Sequence, residues 1–225
     1  MIYLALFFAV FVGYGVALLL KEKNAQQLSL PLAFSGAFLL AVTLFELLPE
    51  VYQSTNEYVG PFIMVGILLQ ICLEFLSKGA EHGHVHIHSN KKSFPWLLFI
   101  SLSIHALFEG FPIAENSSML IGVLVHKIPI AMILSFFFIK AKYPLVTILS
   151  FLFLFASMTP IGSWLSLNSP DLMVYKDELN AISIGIFLHV STTILFESSK
   201  DHKFNLAKLS TIIAAIVIAY FISSR

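Results

Sequence analysis

Two pairs of residues in neighbouring apolar segments have the side chains and the spacing of a metal-binding site. His105 and Glu109 lie four positions apart, so one face of a helix presents both of them. The next apolar segment contains His126, followed directly by Lys127. A charged group near the centre of a bilayer costs about 2.5–3.5 kcal/mol on insertion scales, so such groups generally face a binding site or a water path. Two imidazoles and a carboxylate suit a divalent transition metal such as zinc, iron or manganese.

The positions of these residues along their segments predict that they meet at one depth. If the first segment enters the bilayer near residue 94, a rise of about 1.5 Å per residue puts His105 roughly 16 Å and Glu109 roughly 22 Å from the inner edge. The second segment returns from near residue 118, which puts His126 about 18 Å from the inner edge of a core about 30 Å thick. Because the turn between the segments is short, the two helices should be antiparallel neighbours with all three groups near the midplane.

Lys127 and two prolines lie close to the membrane depth of these three residues. An ammonium group cannot ligate a metal, and a buried lysine needs a partner, so we expect Lys127 to pair with Glu109 or another nearby carboxylate. The alternative is a lysine that extends to the membrane surface. Pro112 and Pro129 each remove a backbone donor and kink a helix. The carbonyl groups that they free would line a cavity, unless the prolines are simply tolerated in the membrane.

Further candidate ligands lie in other segments. Glu46 lies one turn before Glu50, near the outer end of its segment. It would bind the entering metal ion or accept a proton there, or else it would be an ordinary carboxylate at the membrane interface. His189 lies midway along the seventh apolar segment and would ligate the metal, relay a proton or only pack. The predicted inner loop at 78–93 contains the sequence EHGHVHIH, and its four alternating histidines are His82, His84, His86 and His88. We expect a weak cation-binding loop there, with a solvated linker as the alternative.

The composition is that of an integral membrane protein. Hydrophobic residues make up 58% of the 225 residues and charged residues 12%, whereas a soluble domain is usually about 45–50% apolar and about 25% charged. The formal net charge is zero, which gives no reason to expect a nucleic-acid partner. The single cysteine, Cys72, excludes both an internal disulfide and a zinc site made of several cysteines.

Eight segments are apolar enough and long enough to span a bilayer as helices. We therefore predict an all-α membrane bundle that forms one transporter-sized domain over 1–225. The predicted helices are 1–20, 31–51, 59–77, 94–114, 118–139, 144–166, 180–198 and 206–222. The first segment has no basic residue before its apolar run, so we interpret it as a spanning helix and not as a cleavable signal.

The basic residues predict the orientation. With both termini outside, ten of the 13 Lys and Arg residues fall on the inner side and two fall on the outer side, as the excess of positive charge in cytoplasmic loops requires. The inner residues are Lys21, Lys23, Lys78, Lys91, Lys92, Lys140, Lys142, Lys200, Lys203 and Lys208. The outer residues are Lys176 and Arg225.

The motifs resemble those of the ZIP (Zrt/Irt-like) family of divalent-metal transporters. The matching stretches are HALFEGFP at 105–112, HKIP at 126–129, GAFLLAVTLFELLPE at 36–50 and the histidine-bearing loop. The resemblance implies uptake of zinc or a related ion toward the cytosol across the plasma membrane, without a prosthetic group. It also implies a metal site between the fourth and fifth helices, and it is compatible with a homodimer.

By position, His105, Glu109 and His126 match the first transport-site ligands of that family. Lys127 stands where some members have an acidic ligand of a second site, and Ile130 stands where many have a glutamate. Ala106 replaces an asparagine that some members have. The chain therefore resembles the branch with an HK pair in the fifth helix, for which one metal site is expected and the lysine takes the place of the second cation.

Three functions are compatible with such a site. A transporter needs an open coordination sphere, because its ion must leave as well as enter, and the expected ions are zinc, iron, manganese or cadmium. Three ligands plus water also describe a catalytic zinc, but the chain has no HExxH motif, so an intramembrane hydrolase is disfavoured. A membrane metal sensor without transport is the third alternative. We predict a transporter and not an enzyme.

Overall fold

The protein is described by a computed structural model that covers residues 2–20, 28–54, 56–77, 94–114, 116–197 and 206–224. Its α-helices are α1 (Ile2–Leu20), α2 (Ser29–Val42), α3 (Leu48–Tyr52), α4 (Val59–Ser77), α5 (Trp96–Gly110), α6 (Ser117–Lys140), α7 (Leu145–Asn168), α8 (Pro170–Met173), α9 (Lys176–Glu197) and α10 (Leu206–Ser223). A π-helical turn, Thr43–Leu47, joins α2 to α3, and a 3₁₀ turn, Pro112–Ala114, follows α5.

Eight helical stretches of the described chain are long and apolar enough to cross a membrane. They are α1, the continuous run from α2 to α3, α4, α5 with its 3₁₀ turn, α6, α7, α9 and α10. This confirms the predicted all-α class with eight spans. The seventh span starts at Lys176 and not at 180, because Asp177 and Glu178 in its first turn favour a helix N-terminus although they are too polar for a hydropathy window.

The spans pack as two groups of four. In the first group, α1 packs against α6 and α7, and α5 packs against α7. In the second group, α4 and α2 pack against α9, and α10 packs against α2. The groups meet where α2 contacts α6 and where α4 and α9 contact α5. The two helices that carry the predicted metal ligands, α5 and α6, therefore both belong to the first group.

Glycines allow the closest helix contacts inside each group. A Cβ atom on Gly162 of α7 would collide with the carbonyl oxygen of Leu107 in α5. In the second group, a Cβ atom on Gly66 of α4 would collide with the carbonyl oxygen of Ile182 in α9. Helices can approach this closely only where the side chain is absent. Gly162 thereby brings the polar face of α7 against the helix that carries His105.

Candidate metal centre

The structure brings together the three residues that the sequence predicts to be metal ligands. His105, Glu109 and His126 each offer one ligand atom, and these atoms all lie within 4.8 Å of one another. The residues are 4%, 2% and 1% exposed, so the cluster is enclosed by protein. The two imidazole rings have centroids 6.3 Å apart and are inclined at 65°, and the Nε2 atoms of both rings lie near Glu109 Oε1.

The distances within the cluster fit a zinc ion. Glu109 Oε1 lies 3.1 Å from His105 Nε2 and 3.8 Å from His126 Nε2. Two donor atoms bound to one tetrahedral zinc are about 3.4 Å apart, since each lies about 2.1 Å from the metal. The two distances from Glu109 Oε1 are within a few tenths of an ångström of that value, and the two imidazole nitrogens, which lie within 4.8 Å of each other, would have to close by a further shift for all three side chains to bind one ion.

The two oxygens of Glu109 have different partners. Oε1 faces the histidine rings, whereas Oε2 accepts a hydrogen bond from Lys127 Nζ at 2.8 Å. The lysine is 1% exposed, and its ammonium group lies 4.8 Å from the centroid of the Phe155 ring. Lys127 thus has the carboxylate partner that the sequence analysis anticipated, and it does not extend to the membrane surface.

Thr159 completes the surroundings of the carboxylate, and the sequence analysis missed it. Its hydroxyl lies 2.8 Å from the carbonyl oxygen of Ala106 and 3.3 Å from Glu109 Oε2, so its one proton is shared between these two acceptors. Thr159 is in α7, beside Pro160 and one turn before Gly162. The glycine contact between α5 and α7 brings this hydroxyl to the carboxylate, and no local pattern in α7 reveals which helix it meets.

The ends of α5 and α6 are fixed by local sequence. Pro112 begins the 3₁₀ turn that follows α5, so the helix ends at Gly110, directly after Glu109. Asn116 caps α6, because its side-chain oxygen accepts a hydrogen bond from the backbone N–H of Met119 at 2.9 Å, as is usual for an N-cap. The connection is short, but α5 and α6 are not the close neighbours that the sequence predicts, because α5 packs against α7 and α4 while α6 packs against α1 and α2. Pro129 lies inside α6, one turn after the second histidine.

Gln70 is a second buried contact that the sequence analysis did not consider. It is fully buried in α4, and its Oε1 lies 3.0 Å from His105 Nδ1. The signal was present in the sequence GILLQICLEFLS, where Gln70 and Glu74 are four residues apart in an otherwise apolar span. Such a spacing places two polar side chains on one helix face, which would be directed toward other polar groups inside the bundle.

Glu46 lies apart from the three ligands. It belongs to the π-helical turn, where one of its oxygens accepts from Ser118 Oγ at 3.1 Å and the other accepts from Asn116 Nδ2 at 3.4 Å. The carboxylate therefore bonds to the N-terminus of α6 and is half-buried. π-helical turns are rare and occur frequently at functional sites, and this one joins the second helix group to the first.

His189 lies against α4 and not in the three-ligand cluster. Its Nε2 is 2.7 Å from Glu74 Oε2, and both side chains are about one-fifth exposed. Glu74 is one turn from Gln70 and three residues before the end of α4. The remaining predicted ligands, His82, His84, His86 and His88, lie outside the described residues.

Comparison with known proteins gives one family. Residues 77–223, well over half of the chain, match the family model described as ZIP zinc transporter. The chain is 31% identical to protein zntD of Dictyostelium discoideum over 150 residues, which cover 57% of this chain and 22% of that protein. It is 32% identical to zinc transporter ZIP1 of Danio rerio over 93 residues, which cover 39% of this chain and 31% of the relative. The matches thus span less than a third of either relative's length.

Proposed function

Because this chain belongs to the ZIP zinc transporter family, we propose that it moves a divalent transition metal, preferentially zinc, across a membrane toward the cytosol. The observation that carries the proposal is the buried set of His105, Glu109 and His126 between α5 and α6. Two neutral nitrogen donors and one carboxylate suit zinc, and iron, manganese and cadmium remain alternative cargoes. Three protein ligands leave at least one coordination position open, which suits an ion that must be released.

We propose that Lys127 limits this site to one metal ion. Its ammonium group holds Glu109 Oε2 at 2.8 Å, so only Oε1 faces the histidines. A second divalent cation bridging the carboxylate would have to displace a buried positive charge. In the site with one metal ion, Glu109 would bind the Lys127 ammonium group through Oε2 and the transported metal ion through Oε1.

Transport requires that the enclosed ligands become accessible, and we propose that the first helix group moves against the second. The support comes from the packing: the glycine contacts inside each group bring backbone against backbone, so these helices should move together. At the boundary, by contrast, a Cβ atom on Gly122 of α6 would lie 3.4 Å from Leu39 of α2, an ordinary packing distance. Rigid-body motion of helix groups around a central site is a known way to alternate access.

Glu46 and the Glu74–His189 pair fit the two ends of such a path. With both termini outside, as we propose from the basic residues, Glu46 is near the outer end of its span and the Glu74–His189 pair is in the inner half of the bundle. An incoming cation would meet the Glu46 carboxylate first. After release it would meet a carboxylate and an imidazole, and then the histidines of the loop that follows α4. We propose that the protein lies in the plasma membrane and forms a homodimer.

The test is zinc flux into proteoliposomes that contain the purified protein. His105→Ala should abolish flux, because it removes one of three ligands, while His202→Ala, a histidine in the last predicted inner loop, should leave flux unchanged. Elution volume and thermal unfolding show whether both variants fold. Equal flux by His105→Ala and wild type would reject the site. Stoichiometric zinc binding without flux would instead favour a sensor.

A further inference from the structure

Gln70 crosses the boundary between the two helix groups to reach a proposed ligand. It lies on α4 of the second group, and His105 lies on α5 of the first. Gln70 Oε1 is 3.0 Å from His105 Nδ1, and the residue is completely buried. A leucine at this position would avoid the cost of burying an amide in a membrane span, so the position of the amide beside the ligand calls for an explanation.

The chemistry of a histidine ligand supplies one. A metal binds a ring nitrogen through its lone pair, so the proton of the neutral ring must be on the other nitrogen. His105 Nε2 lies 3.1 Å from Glu109 Oε1, so a zinc ion bound by both residues would take the Nε2 lone pair, and the proton of the neutral ring would then be on Nδ1. That N–H needs an acceptor, and the carbonyl oxygen of Gln70 is at hydrogen-bond distance.

We propose that Gln70 is a positioning residue for metal transport: its side-chain oxygen accepts the Nδ1–H of His105 and so keeps the Nε2 lone pair directed at the ion. The inference rests on the proposed function, since it assumes that His105 binds the transported metal. Partners of this kind fix the ring orientation of metal-bound histidines, and their loss typically costs about 10–100-fold in metal affinity or activity.

An amide suits this role in a transporter better than a carboxylate does. Both offer an acceptor oxygen, but a carboxylate would add a second negative charge beside Glu109. The added charge would bind the divalent ion more tightly and slow its release. Gln70 therefore orients the ring at no cost in net charge, and replacing it by glutamate should separate binding from turnover.

The experiment compares three variants of α4 in nanodiscs and proteoliposomes. Gln70→Met keeps the length of the side chain and removes the acceptor, so its zinc Kd and transport KM should rise about tenfold or more. Gln70→Glu keeps the acceptor, so its Kd should equal or fall below that of wild type while its maximal flux decreases. Leu73→Met, at a buried apolar position of the same helix, should match wild type in both measurements.

A spectroscopic signature completes the test. The ¹⁵N shifts of His105 in the zinc-loaded protein, assigned with His105→Ala, should report zinc on Nε2 and a proton on Nδ1 in wild type, and a mixture of Nε2-bound and Nδ1-bound rings in Gln70→Met. A zinc-loaded wild-type ring with its proton on Nε2 overturns the proposal, even if Gln70→Met fails to fold.

The affinities separate the remaining outcomes. If Gln70→Met binds zinc as tightly as Leu73→Met, the positioning role is wrong. If Gln70→Met and Gln70→Glu lose affinity equally, the residue acts by packing, and the acceptor role is also wrong. Wild type that binds no zinc, or Glu109→Ala that binds it as tightly as wild type, would instead reject the proposed function itself.

Discussion

The double role of Glu109 gives a prediction that separates stability from transport. Its Oε2 and the ammonium nitrogen of Lys127 are 2.8 Å apart, and both side chains are buried. At this distance two unit charges attract each other by about 6 kcal/mol at an effective dielectric constant of about 20. That attraction offsets part of the cost of removing both charges from water. The Glu109→Gln variant removes the anion and leaves the ammonium group buried without it.

Breaking a buried ion pair from one side typically costs about 3–5 kcal/mol of folding free energy. For a protein of this size, each kcal/mol lowers the unfolding midpoint by about 2–4 °C, so Glu109→Gln should unfold roughly 6–20 °C below wild type. Adding Lys127→Met removes the second charge and nearly conserves the volume, and such replacements are often neutral or stabilising. The double variant should therefore recover most of the lost stability, but it should not carry zinc, because the anionic carboxylate ligand is still missing.

Thermal unfolding in detergent and zinc flux in proteoliposomes measure the two effects separately. Glu57→Gln, which alters an exposed carboxylate, is the matched control and should unfold with wild type. A Glu109→Gln variant as stable as wild type would contradict the ion pair. Zinc flux through the double variant would contradict the assignment of Glu109 as a ligand, whatever its stability.

Three further predictions concern the polar groups around the site. Thr159→Val removes a hydroxyl that supports the Glu109 carboxylate. Because a hydrogen bond contributes about 0.5–1.5 kcal/mol, the zinc Kd of this variant should rise roughly two- to tenfold. An unchanged Kd would show that the hydroxyl does not contribute to zinc binding. Glu46→Gln weakens the contact to Ser118 and should raise the KM for uptake without changing zinc affinity at equilibrium, and a change confined to maximal flux would argue against a role in entry. Glu74→Gln should slow the release of zinc to the inner side, as measured by efflux after rapid dilution, and release at the wild-type rate would exclude the Glu74–His189 pair from the path.

The predictable part of the site is the part that short-range geometry determines. His105 and Glu109 share a face because they are one helical turn apart, and a short turn sends the helix with His126 back across the bundle, although α5 and α6 do not pack closely against each other as the sequence predicts. Depth along the bilayer then follows from the rise per residue. No knowledge of the other helices is needed for this argument, which is why it could be made from the sequence.

The neighbours of the ligands could not be predicted in the same way. Gln70 and Thr159 reach the site because α4 and α7 pack against α5, and the order of helices in a bundle depends on long-range packing. The contact of Gly162 with the backbone of α5 decides where Thr159 lies, but the apolar pattern of α7 gives no sign of it. His189 illustrates the same limit: a histidine midway along a span looked like a ligand, and the structure places it beside Glu74.

The polar contacts between the two helix groups bear on how the groups could move against each other. The described contacts include Gln70 with His105, and Glu46 with Ser118 and Asn116. Hydrogen bonds contribute about 0.5–1.5 kcal/mol each, or about 1.5–3 kcal/mol to a charged group, so breaking these would cost only a few kcal/mol. Two conformations separated by a few kcal/mol are both populated and respond to a ligand that prefers one of them. Because one of the contacts ends on a proposed metal ligand, binding of the ion would act directly on a bond that holds the groups together.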